Sequence, residues 1–398
     1  MKRETVITAL TALVFLIAFA LNHYIFNPTG AKSDVVKIGF IYDGDESIPY
    51  TSNFIRSQHA VEERYGDRIK VFVRTNVTPD KLDENLEEVI KEGCSLIFTT
   101  SYSHAIITKQ IAQKYPKVHF CQACGDNANS APIIKNYHTF MGEIYQGRFV
   151  SGIVAGLKLR EMIDKKIITE DEAKIGYVGA YPYPEVISGY TAFLMGVLSI
   201  VPSAKMKVTY TFTWSSFSEE KFCAKQLIDE GCKIIGQHSD TIGPAVACEE
   251  SFEKGVFHVG YNQSMVDVAP MTSLVSTRIN WTPYILGAVD AILTKKSIEG
   301  SIKGHVHGTD IGAGFDLGWV QMLEVNSIIA AKGSEEIVEK TIQAFKKGKQ
   351  SVFVGNYIGV NPYDEDDIYD LRKEFKENSN SSAPVFAYVL EDVIEIDE

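Results

Sequence analysis

No cysteine precedes Cys94, so the N-terminal apolar segment offers no thiol to carry a lipid. Positive charge is also scarce: 39 Lys and Arg face 51 Asp and Glu, a net charge of −12 that argues against a nucleic-acid-binding surface. Much of that deficit is local, because from Asn361 to Glu398 twelve acidic residues face three basic ones. The G-x-S-x-G elbow, the H-E-x-x-H zinc helix and the G-x-x-x-x-G-K-[ST] phosphate loop are all missing. Gly312-Ala313-Gly314 does not sit between a strand and a helix as a dinucleotide loop would. His305 and His307 share one face of a strand but lack a third ligand, so they read as structural. Nothing here argues for an enzyme, a cofactor or a metal.

What is present begins with an export signal. Lys2 and Arg3 precede an uncharged run from Thr5 to Leu21, the charged and apolar regions of a secretory segment, and Ala18-Phe19-Ala20 resembles a cleavage site. The run is just long enough to cross a bilayer, so residues 1–30 read as a signal peptide or a retained N-terminal membrane anchor. Either way, the flanking positive charge places residues 22–398 outside the cytoplasm. Six cysteines in an exported chain invite disulfides. Their positions suggest buried thiols instead: Cys94 and Cys232 each stand just before a buried strand, and Cys121-Gln122-Ala123-Cys124 ends a strand rather than opening a helix.

The strongest signal is an internal repeat. Lys37-Ile38-Gly39-Phe40 recurs as Lys174-Ile175-Gly176-Tyr177, and Glu92-Gly93-Cys94 recurs as Glu230-Gly231-Cys232. In each copy, short apolar runs alternate with helical patterns, which predicts parallel sheets built from right-handed crossovers. The expected fold is α/β, with two Rossmann-like lobes joined by a three-crossing hinge. The division read from the pattern is 36–140 plus 264–300 for the first lobe. The second takes 141–263 plus 301–398 with the acidic C-terminal segment, and the crossings fall near 141, 264 and 300. A strand at Ser273–Asn280 and a helix at Pro283–Thr294 are expected to return to the first lobe. Gly147, Gly152 and Gly156 lie on a helix spanning Gly142–Asp164, where they permit close helix packing. Glu377–Ala383, rich in Asn and Ser, reads as a surface loop, and Pro384–Ile396 as a final strand.

Ligand sites in such sheets lie at the carboxyl ends of the strands. The loops there are Asp43–Tyr50, Thr100–His104, Gly179–Glu185, Thr213–Phe217 and Gln237–Thr241. They carry Tyr50, Tyr102, Tyr181, Tyr183 and Trp214 with Asp43, Glu185 and Asp240. Aromatic rings on opposing lobes, with few carboxylates, suit a flat ligand that offers N–H groups at its edge.

At these residues the chain resembles the basic membrane protein, or PnrA-like, family, the purine- or nucleoside-binding receptors of ABC importers. The likeness runs from about Val36 to Val360. It is carried by Leu96–Ser101, Glu143-Ile144-Tyr145-Gln146-Gly147-Arg148, Gly152–Gly156, Lys174–Val178, Pro184–Ile187, Leu227–Gly231 and Gln237-His238-Ser239-Asp240. The resemblance implies a type I periplasmic-binding-protein fold, an ABC permease as partner, and a purine (adenine, guanine or a nucleoside) as ligand. It implies stacking by Tyr50 and Trp214, a hydrogen bond from the base to Asp240, and pocket roles for Asn280, Trp281 and Asn262. Tyr102 and Glu185 come from the cleft loops. The nucleoside branch's Asp-Lys-Ser-Phe-Asn stretch is replaced by Tyr50-Thr51-Ser52-Asn53, and relatives commonly have Asp in place of Asn262. These departures favour a free base over a nucleoside. A membrane-tethered purine sensor on the same scaffold is the alternative.

Overall fold

Residues 35–397 are described by a computed structural model. The expected signal or anchor lies outside the described residues.

The first unit begins with β1 (Val36–Ile41), followed by α1 (Pro49–Tyr65), β2 (Ile69–Arg74), α2 (Leu82–Lys91) and β3 (Leu96–Thr99). It ends with α3 (Ala105–Lys114), β4 (His119–Ala123) and β5 (Tyr137–Gly142). The long α4 (Ile144–Asp164) leads into the second unit, which starts with β6 (Lys174–Gly179), α5 (Pro184–Leu198) and β7 (Lys205–Tyr210). It continues with α6 (Phe217–Asp229), β8 (Ile234–His238), α7 (Gly243–Glu249), β9 (Phe257–Tyr261) and β10 (Ser273–Ile279). Beyond them lie α8 (Thr282–Thr294), β11 (His305–His307), β12 (Asp310–Ala313), β13 (Val320–Met322) and α9 (Ser334–Lys346). Short strands end the chain: β14 (Ile358–Asn361), β15 (Asp364–Asp370), β16 (Val389–Leu390) and β17 (Ile394–Ile396).

Two seven-stranded sheets result, ordered β11-β12-β5-β4-β3-β1-β2 and β13-β10-β9-β8-β6-β7-β17. Within the repeat every pairing is parallel, with β1 between β2 and β3 and β6 between β7 and β8. The repeated glycine has a packing reason in both copies. A Cβ on Gly39 would lie 3.3 Å from Val89 of α2, and one on Gly176 2.8 Å from Leu227 of α6. Each leaves room for the crossover helix against its central strand.

Sheet membership differs from the sequence division at two places. β10 does not return to the first lobe: it pairs in parallel with β9, extending the second sheet, and only α8 crosses back to pack on α1. β11 and β12 belong to the first sheet through parallel pairing of β12 with β5. The crossings therefore lie at Gly142–Ile144, Ile279–Thr282 and Ala313–Val320. Periodicity identifies a strand but not its neighbour. The deciding ladder here joins His258 and Thr272, whose backbones pair just before β10 begins.

The C-terminal reading is also corrected. Pro384–Ile396 is not one strand: β16 joins β14 and β15 in a small antiparallel sheet, while β17 adds to the edge of the second sheet beside β7. Glu377–Ala383 is a surface loop only at its tip: Ser379 and Asn380 are exposed, but Glu377 and Ser382 are 8% and 1% exposed.

Most of α4 is buried, including Gln146, Arg148 and Ser151, and it packs on α5, β10 and α9. Its crossing with α5 is close enough for backbone to touch backbone. A Cβ on Gly152 would stand 2.8 Å from the Phe193 carbonyl carbon, and one on Gly196 2.9 Å from the Ile153 nitrogen. Neither neighbour is the movable end of a side chain, so a methyl must push the helices apart. Gly152→Ala is expected to cost about 3 kcal/mol, as overpacking of a tight core does. Urea unfolding measures it, and an unchanged midpoint would show that the interface can give.

Candidate functional site

The carboxyl ends of both sheets face each other across a narrow, partly open cavity. The first lobe contributes Asp43, Tyr50, Ser101, Tyr102 and Cys124, and the second Glu185, Trp214, His238, Asp240 and Tyr261. The lobes also touch directly, with the Tyr102 ring 5.2 Å from that of Tyr183.

Side-chain to backbone hydrogen bonds hold the loops of each wall. In the first lobe, the Gln122 carboxamide donates to the Ser101 and Ala123 carbonyls. In the second, Gln237 donates to the Ser239 and Thr241 carbonyls. The buried Glu220 carboxylate accepts from the backbone N–H groups of Ser216 and Thr241, tying the Trp214 loop to the Asp240 loop. A backbone bond from Asp240 to the Trp214 carbonyl, 2.9 Å, closes the same junction.

Tyr50 is held from two sides. Its hydroxyl donates to the Thr100 carbonyl and lies 3.3 Å from the Cys124 sulfur. Its ring meets Phe54 edge-on at 5.2 Å and Trp281 at 6.5 Å. Trp281, 1% exposed and stacked on Phe54 at 4.4 Å, is therefore a support behind Tyr50 and not part of the cavity wall. Asn280 is also absent from the wall. It sits at the second crossing, where its side chain donates to the Gly318 carbonyl. Asn262 stands one layer back, its amide 3.5 Å from Asp240. Trp214 is backed by Tyr181 and Tyr183, whose rings stack on each other at 5.2 Å and tilt against the indole.

The charge in the cavity is one-sided. Asp43, Glu185 and Asp240 all line it. Burial first, then the charges of Asp43, Glu220 and Glu185, push the Asp240 carboxyl well above its ordinary range, with Arg148 opposing. His238 does not neutralise these acids. Burial and then Arg148 pull it down to about 4, although Glu185 lies 3.4 Å away. The positive charge comes from Arg148, reached from α4: its guanidinium donates to the Gln237 carbonyl and lies 3.8 Å over the ring of Tyr261. Such a cavity accepts hydrogen bonds more readily than it donates them.

Reading the sequence alone missed Cys124, His238, Tyr261, Ser101 and Arg148. A signal existed for some of them. His238 and Arg148 lie inside the motifs quoted above, and Cys124 follows β4 at a strand end like the marked loops. All six thiols are free and buried. Among the described residues no group of three or more potential metal ligands occurs.

The family model for "ABC transporter substrate-binding protein PnrA-like" matches residues 35–351. The chain belongs to this family. The substrate-binding protein is 28% identical over 322 residues to the purine-binding protein of Brucella abortus (strain 2308), covering 80% of this chain and 83% of that one. A Haloferax volcanii protein, named as a candidate glucose-binding component of an ABC transporter, is 29% identical over 229 residues, 58% of this chain and 54% of its own. In fold, a solute-binding protein of an ABC transporter system from Aeropyrum pernix K1 superposes with a TM-score of 0.64 at 16% identity, covering 83% of this chain and 95% of that one. The fold is thus that of the type I periplasmic-binding proteins, and the family comprises extracytoplasmic solute-binding proteins, not enzymes. Among the described residues no helix of this binding protein is long and apolar enough to cross a membrane.

The buried carboxyl has a thermodynamic consequence. A group whose pKa is raised on folding stabilises the fold below its unfolded pKa, and that contribution is lost as pH rises through the folded value. The ligand-free protein should lose stability from about pH 4 upward on account of Asp240. Asp240→Asn removes the titration, so its melting temperature should exceed that of the native protein at pH 8 and converge with it toward pH 4. Parallel melting curves across that range would refute the assignment.

Proposed function

We propose that this protein captures a purine base in the interlobe cavity by hinge closure and presents it to the permease of an ABC importer. The observation that carries this reading is the make-up of the two walls. Tyr50 and Trp214 come from opposite lobes into one small cavity whose acids, Asp240 first among them, accept hydrogen bonds. A planar heterocycle with N–H groups at its edge satisfies rings and carboxylates together. The Brucella relative, named as purine-binding, supports the same ligand class.

A free base suits the site better than a nucleoside. Asn262 is turned to Asp240 instead of lining the wall, which leaves no ribose contact at that position. Binding energy then follows from the walls. Base–aromatic stacking contributes about 1–3 kcal/mol per ring, and a charge-assisted hydrogen bond about 1.5–3 kcal/mol. Since these groups sit on different lobes, a ligand engages all of them only in the closed state and so shifts the population toward it. The outer faces of the lobes differ between open and closed forms, which lets a permease distinguish loaded from empty.

Calorimetric titration of protein stripped of ligand is the test, with adenine, guanine, hypoxanthine, their nucleosides and glucose as the panel. One-to-one binding of a free base is expected, weakened about 10- to 100-fold by Trp214→Ala or by Asp240→Ala. Binding only of nucleosides would correct the base to its riboside. Binding of glucose alone, or no change in either variant, would overturn the purine reading.

A further inference from the structure

The family match ends at residue 351, yet the ordered chain continues to Asp397. Most of this extension is built onto the second lobe. β17 pairs with β7 from Ile394↔Met206 to Ile396↔Val208, and Lys205 donates to the Asp392 carbonyl. Phe386 stacks on Phe353 at 4.0 Å, and Phe353 packs against Tyr145 of α4. The Thr191 hydroxyl on α5 donates to the Tyr388 carbonyl. Glu377 anchors the turn itself: its carboxylate accepts from the Ser188 hydroxyl on α5, 2.9 Å, and from the backbone N–H groups of Val385 and Phe386.

Five residues on, the same segment reaches the other lobe. The backbone N–H and the hydroxyl of Ser382 both donate to the Asp310 carboxylate, each at 2.5 Å. Asp310 opens β12 of the first sheet, is 1% exposed, and also accepts from the Thr139 hydroxyl on β5. The approach is close: a Cβ on Gly312 would stand 2.9 Å from that of Ser382. Asn378, at φ 58°, donates to the Ser381 and Ser382 carbonyls and fixes the bend between the two anchors.

We propose that residues 377–382 are an interlobe strap, a fourth and non-covalent hinge crossing that restrains the cleft from opening. Three covalent crossings leave the lobes free to rotate. A short segment bonded to α5 on one side and to β12 on the other must stretch, or release Ser382 from Asp310, when they do. With the lobes closed, as the Tyr102–Tyr183 contact shows them, both anchors are made. The strap therefore favours the closed form even before a ligand arrives and slows ligand entry. The inference rests on hinge closure in a two-lobed binding protein and is independent of which ligand is bound.

The test uses the full chain with cysteines introduced at Ile106 and Phe222, exposed residues on the two lobes, for spin labelling. The six native thiols are buried and should not label. Without ligand, the parent should give mainly the short interlobe distance, whereas Ser382→Ala and the double variant Asp310→Asn/Ser382→Ala should gain a longer one. An increase of roughly tenfold in the open-to-closed ratio is expected for loss of such charge-assisted bonds. Glu377→Gln must act in the same direction from the opposite lobe, a response that mere loosening of β12 would not produce. Circular dichroism confirms that each variant is folded. Distance distributions identical to the parent in folded Ser382→Ala and Glu377→Gln would overturn the strap, whatever the titration panel shows. If variants widen the cleft while no purine binds, the strap stands and the ligand reading falls.

Discussion

The constraint on which the cleft depends is the burial of Asp240 beside other acids. A carboxylate out of water, near Asp43, Glu185 and Glu220, is costly unless something donates to it or it keeps a proton. The surrounding architecture responds to that cost. Arg148 is threaded from α4 to lie under Tyr261, Glu220 is occupied by backbone N–H groups, and the loops carrying Asp240 and Trp214 are bonded to each other. What remains unmet on the cavity side is capacity to accept hydrogen bonds. A ligand that supplies donors across both lobes meets it, so recognition and closure draw on the same deficit.

How much of this was legible in the sequence depends on whether a feature is local. The α/β class and the doubling of the unit were legible, because Gly39 and Gly176 repeat for the same steric reason and the helix–strand turns repeat around them. The cavity's aromatic and acidic side chains were largely legible too, since they sit at the ends of apolar runs. What failed required knowledge of neighbours. Trp281 and Asn280 follow a strand end, as cavity residues do, but β10 lies in the second sheet, and its end delivers them to the crossing behind Tyr50. Glu377 and Ser382 look like solvent-facing loop residues because Asn and Ser are common in loops. Their burial comes from partners on α5 and β12, 189 and 72 positions away. His238 and Arg148 lay within quoted motifs, but only the fold shows that they form the layer beneath the cavity.

The two lobes also differ in how they hold their aromatic residue. Tyr50 is fixed by its own hydroxyl and by a Phe54–Trp281 stack, all within the rigid first lobe and crossing. Trp214 rests on Tyr181 and Tyr183, and Tyr183 also meets Tyr102 of the other lobe. One side is held by its own lobe and the crossing, and the other belongs to a ring cluster that the Tyr102–Tyr183 contact extends across the cleft when the lobes meet.

That asymmetry gives the molecule its own optical reporter. Of the three tryptophans, Trp281 and Trp319 are each 1% exposed within the core, and Trp214 faces the cavity. A ligand that enters the cavity meets the Trp214 indole directly and changes its emission, with no dye attached, whereas Trp281 and Trp319 stand on the crossings and respond to hinge rotation.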